Sequence, residues 1–251
     1  EPNENPPPPA QGNQHRNASQ RQPALDRFAA LDLGTNNCRL LIASPRGRGF
    51  RVFDAFSRIV RLGEGMTASG ALSPAAMERT IDALKVCAEK IERRSVTRQR
   101  CIATQACRAA SNGEAFLERV RKETGLQFEI ISPAEEARLA VIGCSELLDI
   151  DAKAGLIFDI GGGSTEISWI RTSAKSPSKH GASPAHEVSA WTSLPIGVVS
   201  LSEKFGGGQL SRAGYGEVVD HVRAEIAAFG DPAGLHGIFA AGEGHYLGTS
   251  G

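Results

Sequence analysis

One plan is written twice along this chain, and it limits the possible folds more than any other feature. The stretch Phe28 to Ala43 runs from apolar residues through Asp32 and Leu33 into Gly34, Thr35, Asn36 and Asn37, then into a second apolar run. The stretch Gly155 to Ile170 repeats it. An apolar run delivers Asp159, the glycines 161, 162 and 163 follow, and Glu166 and Ser168 then alternate with Ile167 and Trp169. Each stretch predicts strand, tight turn, strand. Successive glycines remove every Cβ from the second turn, so backbone N–H groups can bend closely around an anion. Asp159 at the strand end can face a hydrated divalent cation, and Glu166 adds a second carboxylate at the same mouth. A glycine-rich backbone beside carboxylates suits a phosphate chain carrying Mg²⁺. One such turn could be hairpin geometry and nothing more. Two of them predict similar half-domains, each giving a phosphate loop to a shared cleft.

Composition narrows the setting. The chain has 251 residues, enough for one large domain or two small ones, and 41% are apolar. Basic and acidic residues balance at 28 each, so any basic patch must be local. The cysteines (38, 87, 101, 107, 144) form no C-x-x-C pair, and the histidines show no H-x-x-x-H spacing. That speaks against a disulfide framework or a cysteine zinc site and for a reducing compartment. No apolar run approaches the ~18 residues of a membrane span. Residues 1–26 hold four consecutive prolines, many Asn and Gln, and no large apolar residue before Leu25, which predicts a disordered tail. The tail lacks the apolar core of a signal peptide, and the absence of an initial Met suggests a trimmed chain. No G-x-x-x-x-G-K-[ST] occurs, which argues against a P-loop nucleotidase.

In the first half, residues 27–148, Phe50 to Phe56 alternates as a strand, and Ile59 to Met66 leads from strand to loop. Ser73 and Pro74 open a helix whose stripe is Met77, Ile81, Leu84, Ala88 and Ile91. Arg93, Arg94, Arg98 and Arg100 are either a solvated helix end or a track for a long polyanion. Cys101 to Thr104 is a short strand, with Arg108 just past it; a planar guanidinium there suits two phosphate oxygens, or the surface. Asn112 is expected to cap a helix carrying Phe116, Leu117 and Val120 that stops near Gly125, and Phe128 to Ile131 to form a strand. Ser132, Pro133 and Glu135 then form a capping box, which gives Glu135 a structural task. Glu136, turned about 100° around the helix, has no such task. The first turn's positive end is expected to hold it ionised, as a general base requires.

In the second half, residues 149–251, Arg171 to Glu187 is expected as a long exposed hairpin loop and Val188 to Leu194 as a strand. Val218, Val222, Ile226 and Phe229 form a helical stripe ending at Gly230, and Gly237 to Ala241 is expected as the last strand.

The motifs D-x-G-T-N (Asp32 to Asn36) and D-I-G-G-G-S-T-E (Asp159 to Glu166) resemble the two phosphate motifs of the actin, Hsp70 and sugar-kinase superfamily. Within it, the wording is most similar to the exopolyphosphatase / guanosine pentaphosphate phosphohydrolase family. Three further segments carry the likeness: Ala103 to Asn112 (A-T-x-x-x-R-x-A-x-N), Ser132 to Arg138 and Leu194 to Val199. The resemblance implies a mixed α/β fold of two ribonuclease-H-like, actin-like ATPase lobes around a cleft. Residues 27–251 are covered, with a third Gly-rich motif cut off at Gly248 to Gly251 and the second lobe therefore truncated. The implied reaction is hydrolysis of a terminal phosphoanhydride, from polyphosphate or the 5′ end of guanosine pentaphosphate. That places the chain in the cytoplasm and in the stringent response.

The implied site has Glu136, Glu166 and Arg108 as catalytic groups. Gly34, Thr35, Asn36, Gly161, Gly162, Gly163 and Ser164 would hold phosphate, and Asp32, Asp159 and Glu166 would hold Mg²⁺, directly or through water, with K⁺ as a further candidate ion. Glu136 accepts the water's proton; Glu166 is the alternative for orienting that water. The family further implies a homodimer for a full-length member, and no nucleic acid or membrane partner. Two rivals stay open on pattern: a kinase of the same superfamily acting on a small acid or sugar, and a non-catalytic sensor of guanosine polyphosphates.

Overall fold

The computed structural model describes residues 26–47, 49–149, 151–172 and 187–250. All but the last residue of the expected tail, and nearly all of the expected exposed loop, lie outside them.

The first sheet starts with a meander: β1 (Phe28–Leu33), β2 (Asn37–Arg46) and β3 (Gly49–Ile59), successive strands pairing antiparallel. Alternation buries Ala29, Leu31 and Leu33 on one face of β1 and Cys38, Leu40 and Ile42 on the matching face of β2. After the short helix α1 (Met66–Ser69), helix α2 (Pro74–Arg93) crosses back to β4 (Arg98–Ala103), which runs parallel to β1. Ser73 caps α2, its Oγ accepting from the Ala76 N–H at 3.2 Å. Ile81 and Leu84 are fully buried, and Met77, Ala88 and Ile91 pack against that core, so the expected stripe faces the sheet. Helices α3 (Gln105–Ala109) and α4 (Gly113–Thr124) then lead to β5 (Phe128–Ile130), parallel to β4. The strand order is β3-β2-β1-β4-β5.

Helix α5 (Pro133–Cys144) joins the two sheets in sequence. The second sheet comprises β6 (Ala154–Ile160), β7 (Thr165–Arg171) and β8 (Glu187–Leu194), again antiparallel in succession. Helices α6 (Val198–Lys204), α7 (Arg212–Phe229) and α8 (His236–Ala240) follow, and β9 (Gly244–Ser250) lies parallel to β6. The order β8-β7-β6-β9 repeats β3-β2-β1-β4, so the duplicated plan is a duplicated sheet topology.

Several local expectations need correction. Residues 237–241 are not a strand: α8 covers most of them, and the last strand starts at Gly244 and runs into the segment read as a glycine-rich motif. A five-residue apolar run does not distinguish a helix turn from a strand. Helix α6 was not foreseen either. Asn112 stands at the N-cap of α4, but its side chain makes no cap bond; it clamps Leu72 instead, accepting from its N–H at 2.8 Å and donating to its carbonyl at 3.0 Å. The basic run divides, with Arg93 and Arg94 ending α2 and Arg98 and Arg100 lying in β4. Arg94 pairs with Asp54 at 3.0 Å and Arg100 with Glu129 at 2.5 Å. Two of the four cations are thus engaged by acidic neighbours. Among the described residues no helix is long and apolar enough to cross a membrane.

Candidate active site

Both hairpin turns reach one cavity. It is lined by Asp32, Gly34, Thr35, Asn36 and Asn37 from the β1–β2 turn and by Asp159 and residues 161–164 from β6 and its turn. Thr104 and Gln105, at the end of β4, and Glu136, in the first turn of α5, complete the lining. These are ends of parallel strands and the turns beyond them, where open α/β sheets place ligands.

The two turns are closed in the same way. The Gly34 N–H donates to the Asn37 carbonyl at 2.9 Å, and the Gly161 N–H to the Ser164 carbonyl at 2.9 Å. Four further carbonyls of the turns accept from backbone N–H groups of other segments. The Asn36 carbonyl accepts from Val60 and Arg61 and that of Thr35 from Gly63, while those of Gly161 and Gly162 accept from Val198 and Val199. Binding the carbonyls away from the cavity suits turns that present N–H groups to it. The turns also touch. A Cβ on Gly162 would stand 2.9 Å from Thr35 Cβ, and one on Gly163 would stand 2.2 Å from Gln105 Oε1. Thr35 Oγ1 donates to that same Oε1 at 2.9 Å.

Glu136 reaches the cavity because Ser132 ends the strand and starts the helix. The Ser132 Oγ accepts from the Glu135 N–H at 3.2 Å, which is the serine half of the expected capping box. The Glu135 carboxylate pairs with Arg100 and Arg138 (3.1 and 2.6 Å), leaving the inward position to Glu136. Arg108 Nη1 donates to Glu136 Oε2 at 3.2 Å and to the Ile131 carbonyl at 2.7 Å. Burial pushes the Glu136 carboxyl up to about 7, with the nearby Glu166 adding to the rise and Arg108 opposing it. The expectation that the helix's positive end holds this group ionised at neutral pH is met only in part, since burial leaves about half of it protonated there.

Asp32 is raised to about 6 by burial, with Arg39 opposing and Asp159 adding to it, which places the two aspartates within electrostatic reach. Asp159 accepts a bond from the Thr249 hydroxyl on the neighbouring strand β9. Glu166 is 3% exposed and is not among the residues lining the cavity. Its Oε1 accepts from Ser193 Oγ at 2.7 Å, across the β7–β8 register pair. Burial raises its carboxyl too, with the Ser193 and Ser164 hydroxyls opposing. Among the described residues no three His, Cys, Asp or Glu side chains are placed to hold one metal ion, so Asp32, Asp159 and Glu166 do not form a direct three-carboxylate set.

The predicted site residues thus line one cavity, except Glu166 and Arg108; Arg108 bonds to Glu136, which does line it. Sequence reasoning assigned no task to Gln105, Thr104, Ser193 or Thr249. Gln105 carried a usable signal, since it directly follows a strand end. Thr249 lies in the third Gly-rich motif, which pointed to the site without a task for this residue, whereas Ser193 carried no signal, because only strand pairing brings it to Glu166.

Comparison with known proteins gives this geometry a family. The Ppx/GppA phosphatase family model matches residues 41–251. The chain belongs to the Ppx/GppA phosphatase family. Exopolyphosphatase 2 of Mycobacterium tuberculosis is 37% identical over 191 residues, which are 72% of this chain and 55% of that protein. A guanosine-5′-triphosphate,3′-diphosphate pyrophosphatase of Photobacterium profundum is 31% identical over 74% of this chain and 35% of its own length. The chain therefore spans about half or less of these two curated relatives. An Aquifex aeolicus Ppx/GppA enzyme superposes with a TM-score of 0.61 at 30% identity, covering 82% of this chain and 64% of that one. A Cytophaga hutchinsonii exopolyphosphatase, at 24% identity, shares the fold with a TM-score of 0.74 over 90% of this chain and 67% of its own. The family's mixed α/β fold with two sheets is the fold of this chain.

Proposed function

We propose that this chain hydrolyses a terminal phosphoanhydride, of inorganic polyphosphate or of the 5′ end of guanosine pentaphosphate. The observation that carries the reading is Glu136. It is a carboxyl pushed to about 7, paired with Arg108 and set in one cavity with the two hairpin turns. A group of that pKa is half ionised at neutral pH and takes a proton readily. The named relatives act on these two substrates, and both substrates end in the same chemical group.

Each residue then has one task. The N–H groups of Thr35, Asn36, Gly162, Gly163 and Ser164 receive phosphate oxygens between the turns. Glu136 accepts a proton from the water that attacks the terminal phosphorus; the bridging P–O bond breaks, and the shortened chain and orthophosphate leave. Arg108 balances charge that gathers on the transferred group. Glu166, fixed by Ser193 and set back from the cavity, acts on Glu136 through its charge. The oxygen-only donor set of Asp32 and Asp159, a pair of carboxylates facing a cavity that would hold phosphate, suits Mg²⁺, which binds one or two carboxylates and completes its shell with water and phosphate. When bound, Mg²⁺ would neutralise phosphate charge. The same reading makes the two sheets ribonuclease-H-like lobes facing each other across the cavity.

Phosphate release from long-chain polyphosphate with Mg²⁺, measured for this sequence and for Glu136→Gln, tests the proposal. Loss of a general base lowers the rate by about a hundredfold or more. A variant as fast as the parent removes Glu136 from its role and moves it to Glu166.

A further inference from the structure

The two phosphate turns are linked by a closed ring of contacts that runs through α6 and returns by a carboxylate remote from the cavity. At its start, α6 holds the second turn: the Val198 N–H donates to the Gly161 carbonyl at 3.0 Å and the Val199 N–H to that of Gly162 at 2.7 Å. The contact is tight, since a Cβ on Gly197 would lie 2.5 Å from the Gly162 carbonyl carbon. Near its far end, Glu203 crosses to the other half of the molecule. Its Oε1 accepts from the Gly65 N–H at 2.6 Å and its Oε2 from the Thr67 N–H at 3.3 Å, residues far from it in sequence.

The segment that Glu203 grips supports the first turn. The Met66 N–H donates to the Gly63 carbonyl at 3.1 Å, and the Gly63 N–H donates to the Thr35 carbonyl at 3.0 Å. Val60 and Arg61 both donate to the Asn36 carbonyl, at 2.8 and 2.9 Å. Gly63 fits beneath Thr35 so closely that a Cβ there would stand 2.4 Å from Thr35 Cγ2. Arg61 holds a left-handed φ of 48°, a conformation that persists only where its surroundings impose it. Arg79 supplies part of that restraint, its Nε donating to the Val60 carbonyl at 3.2 Å and one Nη pairing with Glu64 at 2.6 Å. The Thr35, Gln105 and Gly163 contact closes the ring on the cavity side.

We propose that α6 is a strut that fixes the spacing of the two phosphate turns, and that Glu203 is the positioning residue that locks it. A strut about 10 Å long, at 1.5 Å per helical residue, is anchored at one end to the second turn and at the other to the support of the first. A bond to a charged group is stronger than a neutral one, so the carboxylate is the natural lock. Glu203 does not line the cavity, and its two bonds to the opposite segment are to backbone N–H groups.

The test is amide hydrogen exchange, read by NMR on the full chain and on Glu203→Gln, without ligand. The strut predicts that exchange at Gly63, Val198 and Val199 quickens with that at Gly65 and Thr67, by about tenfold or more, while β1 keeps its rates. Quickening confined to Gly65 and Thr67 makes Glu203 a local cap and overturns the strut, as does no change at all. If β1 quickens equally, Glu203→Asp keeps the charge but shortens the reach; uniform loosening there as well reduces Glu203 to general stability and overturns the proposal. The consequence for binding rests on the phosphate reading above: tripolyphosphate is expected to bind Glu203→Gln about tenfold more weakly, a coupling of ordinary size. Equal affinity for both proteins overturns the positioning role. Tripolyphosphate that binds neither counts against the phosphate reading, and the exchange result then decides the strut.

Discussion

At the scale of single residues, the chemistry of this cavity is set by burial working against charge. Glu136 is pushed to about 7 and Asp32 to about 6, both chiefly by burial. A carboxyl whose folded pKa is raised favours the protonated state. Its contribution to stability is therefore present below the unfolded value and is lost as pH rises through the folded one. For Glu136 that window runs from 4.5 to about 7. Without Mg²⁺, the protein is expected to lose thermal stability as pH rises from 4.5 to about 7, and Glu136→Gln to flatten that fall; parallel melting curves for the two would show that Glu136 is hydrated. Activity should carry the same signature. The kcat/KM of the parent should rise with pH on a limb near 7 and then level off, as ionised Glu136 becomes available. If that limb persists unchanged in the residual activity of Glu136→Gln, another group is titrating.

Among the elements, α2 and the start of α6 show two different reasons for a residue's identity. Leu84 lies fully buried in the core of the first sheet. Leu84→Ala is expected to cost about 2–5 kcal/mol in chemical denaturation, through lost apolar contact and the cavity left behind. Gly197 is required by space alone, since its φ of −152° suits any residue. A Cβ there meets the backbone of Gly162 and Gly163 at 2.5–2.6 Å, and neither chain can yield without moving the turn. Gly197→Ala should therefore lose ~1–3 kcal/mol of stability together with phosphate affinity. Gly143, inside α5, has nothing within 4 Å of its missing Cβ. Gly143→Ala is the control, expected to be neutral or to stabilise by ~0.5–1 kcal/mol through helix propensity. Equal losses in both would show that the fit around Gly197 is looser than described.

Across the whole molecule, the sequence determined the strands of both hairpins, the stripe of α2 and the cap that turns Glu136 rather than Glu135 inward. These depend on neighbours a few residues apart: alternation, helical spacing, and one serine accepting one N–H. The same locality explains the failures. Nothing within the 237–241 segment tells a short helix from a strand, and the alternative is settled by β9 pairing with β6. The pKa of Glu136 depends on what covers it, and the cover comes from elements distant in the chain. Ser193 meets Glu166, and Thr249 meets Asp159, only because strands lie side by side. Most of all, the ring from Glu203 to Thr35 exists only once both halves are folded and in contact. The residues that would meet phosphate are written in local motifs, because a turn of a given shape needs a given local sequence; the distance between the two turns is a tertiary quantity, fixed by hydrogen bonds between segments that no local pattern connects.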